Sequence, residues 1–201
     1  PALSPQKNAA KYFKDYKKSH TAEQTLTELT RRDEQELIYF DSVLESISRS
    51  STKAEISEIR EELTAGGYLK APATKPKKAQ APVLREYKSA EGYRIIVGKN
   101  NRQNDYITTT LAAKNDLWFH TKNIPGSHVV VMCGGKEVSD ETLIYAATLA
   151  AENSGAAAGA QVPVDYTPIK FVKKPNGAKP GMVIYTTNKT LYVTPDNGGK
   201  L

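Results

Sequence analysis

The 201-residue chain is predicted to be an α+β protein: a helical coiled-coil arm followed by a mixed-sheet domain with packed helices. Three features lead there. Apolar residues from Leu26 to Ile47 recur every 3 or 4 positions, the spacing of a coiled-coil seam. KAPATKPKKAQAP (70–82) holds three prolines, four lysines and no large apolar residue, so it buries little and is predicted to be an extended linker. After it, short β-branched and aromatic runs alternate with turn residues. The expected boundaries are therefore 1–69 for the arm, 70–82 for the linker and 83–201 for the sheet domain.

In the arm, Ser4 is a natural N-cap with Pro5 at the first helical position, and a first helix carrying Tyr12, Phe13 and Tyr16 is expected to run to about Lys18. A second helix carries the seam Leu26, Leu29, Asp33, Leu37, Phe40, Leu44 and Ile47, interrupted only by Asp33. Thr52 with Glu55 makes a capping box for a third, in which Ile56, Ile59 and Leu63 continue an apolar stripe up to Gly66-Gly67. A seam this narrow needs a partner: the first segment folded back, a second chain, or part of a longer protein. The opening directly at a helix cap favours the last.

Six strands are expected in the sheet domain, at 93–98, 116–122, 128–133, 162–166, 182–187 and 190–195, the last two close enough for a hairpin. Ser139 caps a helix whose Leu143, Ala146, Ala147, Ala150 and Ala151 form a small-residue face for packing on the sheet. A shorter helix is expected within 101–113, after a turn at Gly98.

Composition excludes several classes. No run reaches the roughly 18–20 apolar residues of a membrane span, and PALSPQKNAAKYF has no signal-peptide core. The lone Cys133 forms no internal disulfide, which leaves the cytoplasm as the expected compartment. The net charge of +6 divides as −1 over 1–70, +4 over 71–90 and +3 over 91–201, so the cationic surface, and with it an anionic partner such as nucleic acid, belongs to the middle and end of the chain.

Chemistry concentrates in three stretches. GKNNRQND (98–105) sets Lys99 and Arg102 among Asn100, Asn101 and Asn104, groups able to hold a phosphate or a base edge, although such a loop is equally an ordinary polar turn and helix cap. In DLWFHTKNIPGSH (116–128), alternation puts Asp116, Trp118 and His120 on one face of a strand; Trp118 could stack a base or fill a core, and Asp116 could orient His120. Ser127 and His128 follow in the turn. Ser127 is not in a GxSxG elbow, so a Ser-His-Asp hydrolase ranks low, and His120, His128 and Cys133 match no common zinc spacing. No catalytic residue, metal ligand or cofactor is assigned. The third stretch, IKFVKKPNGAKPGMV (169–183), places Lys170, Lys173, Lys174 and Lys179 among turn residues suited to backbone phosphate. With Lys99, Arg102 and Lys122 these would form a basic rim around a Trp/His pocket.

Taken together, GKNNRQND, DLWFHTKNIPGSHVVV, AATLAAENS, VPVDYTPIKFVKKPNGAKPGMV and YTTNKTLYVTP strongly resemble the NFACT-R domain of the NFACT proteins, and LSPQKNAAKYFKDYKK resembles that family's middle region. The resemblance implies an RNA-binding, non-enzymatic module of a ribosome quality-control factor. Its implied partners are the large ribosomal subunit with its rRNA, tRNA and a stalled nascent-chain complex, in support of mRNA-independent C-terminal alanine tailing. The family motif carries over at Asp116, Trp118, His120, Gly126, Ser127 and His128, and further at Asn101, Arg102, Asn104, Lys173 and Lys174. The expected nucleic-acid contacts are thus Lys99, Asn101, Arg102, Asn104, Asp116, Trp118, His120, Lys122, Ser127, His128, Lys173 and Lys174. The alternative implied by the resemblance is a fibronectin-binding surface adhesin, which would place a pool of the protein at the cell surface. Neither reading requires a membrane partner.

Overall fold

The computed structural model describes residues 3–71, 82–157 and 159–195; most of the expected linker lies outside them. The described chain forms two compact units that meet at Phe40/Asp41. The first is the body of one helix, α1 (Pro5–Arg49), which crosses that boundary. A stop at Lys18 was expected, yet KKSHTAEQT contains neither proline nor glycine and nothing ends the hydrogen-bond ladder there. The first segment therefore does not fold back onto the seam. Leu26, Leu29, Leu37, Leu44 and Ile47 all face solvent along this helix.

The second unit begins with the last turns of α1, where Val43 and Ser46, one position off the predicted seam, are buried. α2 (Lys53–Ala65) starts with the expected capping box: the Thr52 hydroxyl accepts the Glu55 N–H at 3.3 Å, and the Glu55 carboxylate accepts the Thr52 N–H at 3.3 Å. Gly66 closes it, as predicted.

The sheet has six strands: β1 (Arg85–Lys88), β2 (Arg94–Val97), β3 (Leu117–Thr121), β4 (Val129–Val131), β5 (Val162–Pro168) and β8 (Lys189–Val193), in the order β1-β2-β4-β3-β5-β8. A mixed sheet was expected. Every pairing is instead antiparallel, because the connections between sheet neighbours are turns or return paths and none is a right-handed βαβ crossover. The 182–187 run forms β7 (Ile184–Tyr185), which pairs with β6 (Val172–Lys173) in a separate ribbon and makes no hairpin with β8. Thr187 has φ 55° and its carbonyl accepts from the Thr167 hydroxyl, which turns the chain out of the ribbon before β8 begins. β1 escaped prediction because REYK alternates charge with only one apolar residue, Tyr87, on an edge strand.

Each face of the sheet has its own cover. On one, Ile95, Val97, Phe119, Val129, Val131, Val162 and Val164 pack against Ala146, Ala147, Ala150 and Ala151 of α4 (Asp140–Glu152), capped by Ser139 as expected. Small side chains let the helix approach closely. On the other, Ile96, Trp118 and Val130 meet Tyr106 of α3 (Asn101–Tyr106), Ile107 of the π-helical turn after it (Ile107–Leu111), Ile169 of the 3-10 turn Ile169–Phe171, and Val172 and Tyr185 of the ribbon.

Candidate nucleic-acid interface

Alternation in β3 does place Asp116, Trp118 and His120 on the face away from α4, but their surroundings divide them. Asp116 is buried and accepts the backbone N–H groups of Ala113 at 2.8 Å and Gly134 at 2.7 Å, so it ties two turns together and does not orient His120. The carboxylate facing His120 across the strands is Asp165, which accepts from Tyr185 at 2.8 Å and Thr190 at 2.6 Å. Asp165 was missed because VPVDY reads as a strand with one polar residue, and its partners arrive from 20 and 25 residues downstream.

Trp118 is 1% exposed and sits in a ring cluster: His120 stacks on it at 5.7 Å, His128 meets it edge-on at 5.1 Å, and Tyr185 tilts over it at 4.9 Å. It fills core and offers no face to a base. His128 is also buried, its Nδ1 2.8 Å from the Thr108 hydroxyl. Burial lowers the His120 imidazole to about 4, against the pull of its Thr121 and Gly126 backbone partners and of Asp165. Burial, then the neighbouring His120, holds His128 well below its ordinary value. Ser127 donates to the Gly98 carbonyl and accepts from Arg49 at 2.9 Å. Its hydroxyl is thus engaged with a carbonyl and a guanidinium.

The GKNNRQND loop meets α2. Lys99 pairs with Glu55, Arg102 with Glu61 at 2.7 Å, and Asn100 and Gln103 both reach Glu58, at 2.6 and 2.8 Å. Asn101 is buried between Ser42 at 2.9 Å and Glu62 at 3.1 Å. Asn104, also buried, braces the next loop: its carbonyl accepts the His128 N–H at 3.0 Å and its amide donates to the Gly126 carbonyl at 3.3 Å. Gly98 permits this because a Cβ there would stand 3.0 Å from the Asn104 nitrogen. The Asn/Gln/cation pattern predicted to hold phosphate or bases therefore grips an acidic helix of the same chain. The four glutamates of KAEISEIREEL that complete the latch look in the sequence like a solvated face.

Burial by itself raises the Glu55 carboxyl, but Lys99 and the N–H groups of Ser51 and Thr52 overcome it and hold the group at about 2, below the ordinary 4.5. Its contribution to stability is then complete above pH 4.5 and is lost as pH falls towards 2. Glu55→Gln is expected to destabilise the protein at pH 7 and to flatten the acid limb of the stability curve in that window, measured by urea melts across pH. An unchanged limb would show that the Lys99 contact contributes nothing.

The downstream lysines also separate. Lys174 pairs with Asp105, which accepts the Gly181 N–H as well, and Lys179 lies 4.7 Å over the Tyr68 ring while donating to its hydroxyl. Lys122, Lys170 and Lys173 are exposed, and none takes part in an ion pair among the described residues. Lys170 N–H bonds the Lys114 carbonyl at 2.9 Å, bringing a fourth lysine beside the ribbon. Of the predicted rim, then, Lys99, Arg102 and Lys174 are neutralised internally, and the free cations cluster on the β6–β7 ribbon and at the end of β3. No group of three or more His, Cys, Asp or Glu among the described residues is arranged to hold a metal ion. No described helix is long and apolar enough to cross a membrane.

Residues 1–82, with the acidic helix of the latch, match the family profile described as NFACT N-terminal and middle domains, and residues 84–187, with the GKNNRQND loop, the ring cluster and the ribbon, match that of the NFACT protein RNA binding domain. The chain belongs to the NFACT family. It is similar to the Rqc2 homolog RqcH of Bacillus subtilis (strain 168), 48% identical over 199 residues, covering 98% of this chain and 34% of that protein. The Rqc2 homolog RqcH of Streptococcus suis is 46% identical over 196 residues, covering 96% and 35%. The chain thus spans about a third of the length of the curated NFACT relatives it matches. Among solved structures it is similar to the C-terminal part of the fibronectin/fibrinogen-binding protein of Streptococcus suis, with a TM-score of 0.88 and 43% identity over 98% of this chain and 78% of that one.

Proposed function

We propose that this chain is the RNA-docking portion of a ribosome-associated quality-control factor that works in the cytoplasm. In this reading it binds stalled large ribosomal subunits and tRNA, supports mRNA-independent alanine tailing of nascent chains together with the remainder of a longer protein, and performs no catalysis itself. The observation that carries the reading is the set of exposed cations Lys122, Lys170 and Lys173, which have no carboxylate partner among the described residues of the NFACT-R domain, whereas Lys99, Arg102 and Lys174 of the same predicted rim are paired with Glu55, Glu61 and Asp105. Lysines in this state suit phosphate, which they neutralise without reading sequence.

The test is binding to purified large subunits and to tRNA across a salt series, beside a Lys170→Glu/Lys173→Glu variant. These positions are exposed, so the variant is expected to fold normally. Wild type should show a slope of several counterions, and the variant should bind more weakly with a slope smaller by about 2. Equal binding by both would remove the ribbon from the interface. A second reading, attachment to fibronectin, draws on the name of the streptococcal structure. It predicts saturable fibronectin binding that the charge reversal and salt leave largely unchanged.

A further inference from the structure

The face of the sheet opposite α4 is only half covered. Over β2, β4 and the start of β3 it lies beneath α3, the π-helical turn and the β6–β7 ribbon. Toward the end of β3 and across β5 to the edge strand β8 that cover runs out, and the exposed residues there share one cross-strand row. The Lys122 N–H donates to the Pro163 carbonyl at 2.9 Å, and Pro163 lies opposite Tyr192. By the two-residue alternation of strands, Lys122, Pro163 and Tyr192 point to the same side as Trp118 and His120. The next row inward is His120, Asp165 and Thr190.

Tyr192 is 65% exposed, Lys122 is exposed, and Pro163 and His120 are partly open. Asp165, in the next row inward, is buried and takes up the Tyr185 and Thr190 hydroxyls, so its carboxylate lies beneath the surface and outside the Lys122–Pro163–Tyr192 row. Neighbouring strands lie roughly 5 Å apart, so the row spans about 10 Å, the scale of one nucleotide laid flat with its phosphate beside it. Tyr192 and the proline ring supply a flat apolar surface for a base, Lys122 supplies the charge for a phosphate, and the row is joined by the Pro163–Tyr192 pairing and the Lys122 N–H bond to Pro163. An aromatic ring and a cation on an open sheet face suit unpaired bases, since in a duplex the bases are already stacked and hidden.

We propose that Lys122, Pro163 and Tyr192, bordered by His120, form a stacking platform for a nucleotide of single-stranded RNA. This rests on the RNA-docking reading and adds the kind of RNA and the place on the sheet. The ribbon lysines hold backbone of any form, and the platform selects unpaired nucleotides.

The experiment is fluorescence anisotropy of the full chain with a short oligouridine and with an RNA duplex of equal length, for wild type, Tyr192→Ala, Tyr192→Phe, Lys122→Ala and Lys170→Glu/Lys173→Glu. Tyr192→Ala is expected to weaken oligouridine binding by roughly five-fold or more and to leave duplex binding unchanged. Tyr192→Phe, which keeps the ring, should stay close to wild type, and Lys122→Ala should reduce the salt dependence. If Tyr192→Ala binds oligouridine as wild type does while the ribbon variant is weakened, the platform is wrong and the RNA-docking reading stands. If wild type binds neither RNA, the platform fails, and the RNA-docking reading stands or falls with the large-subunit and tRNA titration.

Discussion

Trp118→Ala is expected to lower the unfolding free energy by about 3–5 kcal/mol, the usual cost of removing a large aromatic side chain from a packed core. At 1% exposure Trp118 is the largest fully buried side chain of the second unit, and it underlies His120, His128 and Tyr185 at once. Its removal leaves a cavity that the sheet cannot close, because Val130 on the flanking strand β4 and Ile96 on β2 beyond it are held by the antiparallel ladder. Urea unfolding followed by far-UV circular dichroism measures the change, and the melting temperature should fall by roughly 10 °C. A loss below about 1 kcal/mol would mean that the rings are not core. RNA binding in this variant should fall only in proportion to the unfolded fraction, in contrast to Tyr192→Ala, which should lose affinity while remaining folded.

Acid should weaken the fold well before the carboxylates titrate. His120 is held at about 4 by burial, against an ordinary 6.5, and His128 is held well below 6.5 by burial and by His120. Both are neutral in the folded state. Unfolding frees them to take up protons, so stability is complete above pH 6.5 and declines as pH falls towards 4. The slope is about 1.4 kcal/mol per pH unit for each histidine, approaching the sum for both in the middle of the window. His120→Phe retains a ring over Trp118 and cannot titrate; its slope should drop by about one proton. Urea melts at several pH values test this, and an unchanged slope in His120→Phe would assign the acid sensitivity to other groups. The Glu55 contribution lies at lower pH, between 4.5 and 2, so the two effects separate.

The site was legible in part. DLWFH alternates, so its two faces could be separated from sequence, and the structure does bring Trp118, His120 and His128 together. What alternation does not tell is which face is covered. Both are covered at Trp118, where the β6–β7 ribbon lies over the second face, and only beyond His120 does the sheet open, toward Lys122 and Tyr192. Tyr192 drew no attention because one tyrosine in TLYVTP looks like any strand residue. Its significance comes from the register that sets it beside Pro163 and Lys122.

The loop GKNNRQND shows the same limit from the other side. Residue type alone cannot distinguish an amide aimed at a base from one aimed at a glutamate, and the glutamates that decide the matter lie 39 to 45 positions earlier, on α2.

By itself the sequence determined the local elements whose causes are local: the Thr52/Glu55 capping box, the Ser139 cap, the small-residue face of α4 and the β-branched strands. It also determined family membership, since an ordered series of motifs survives in the chain whatever each residue contacts. Only the tertiary structure decided which cations stay free, that β7 joins β6 in a separate ribbon, and that Trp118 is core while Tyr192 is surface. The physical reason is that capping and periodicity act within about one turn or two residues, whereas charge neutralisation and burial depend on partners brought from distant parts of the chain.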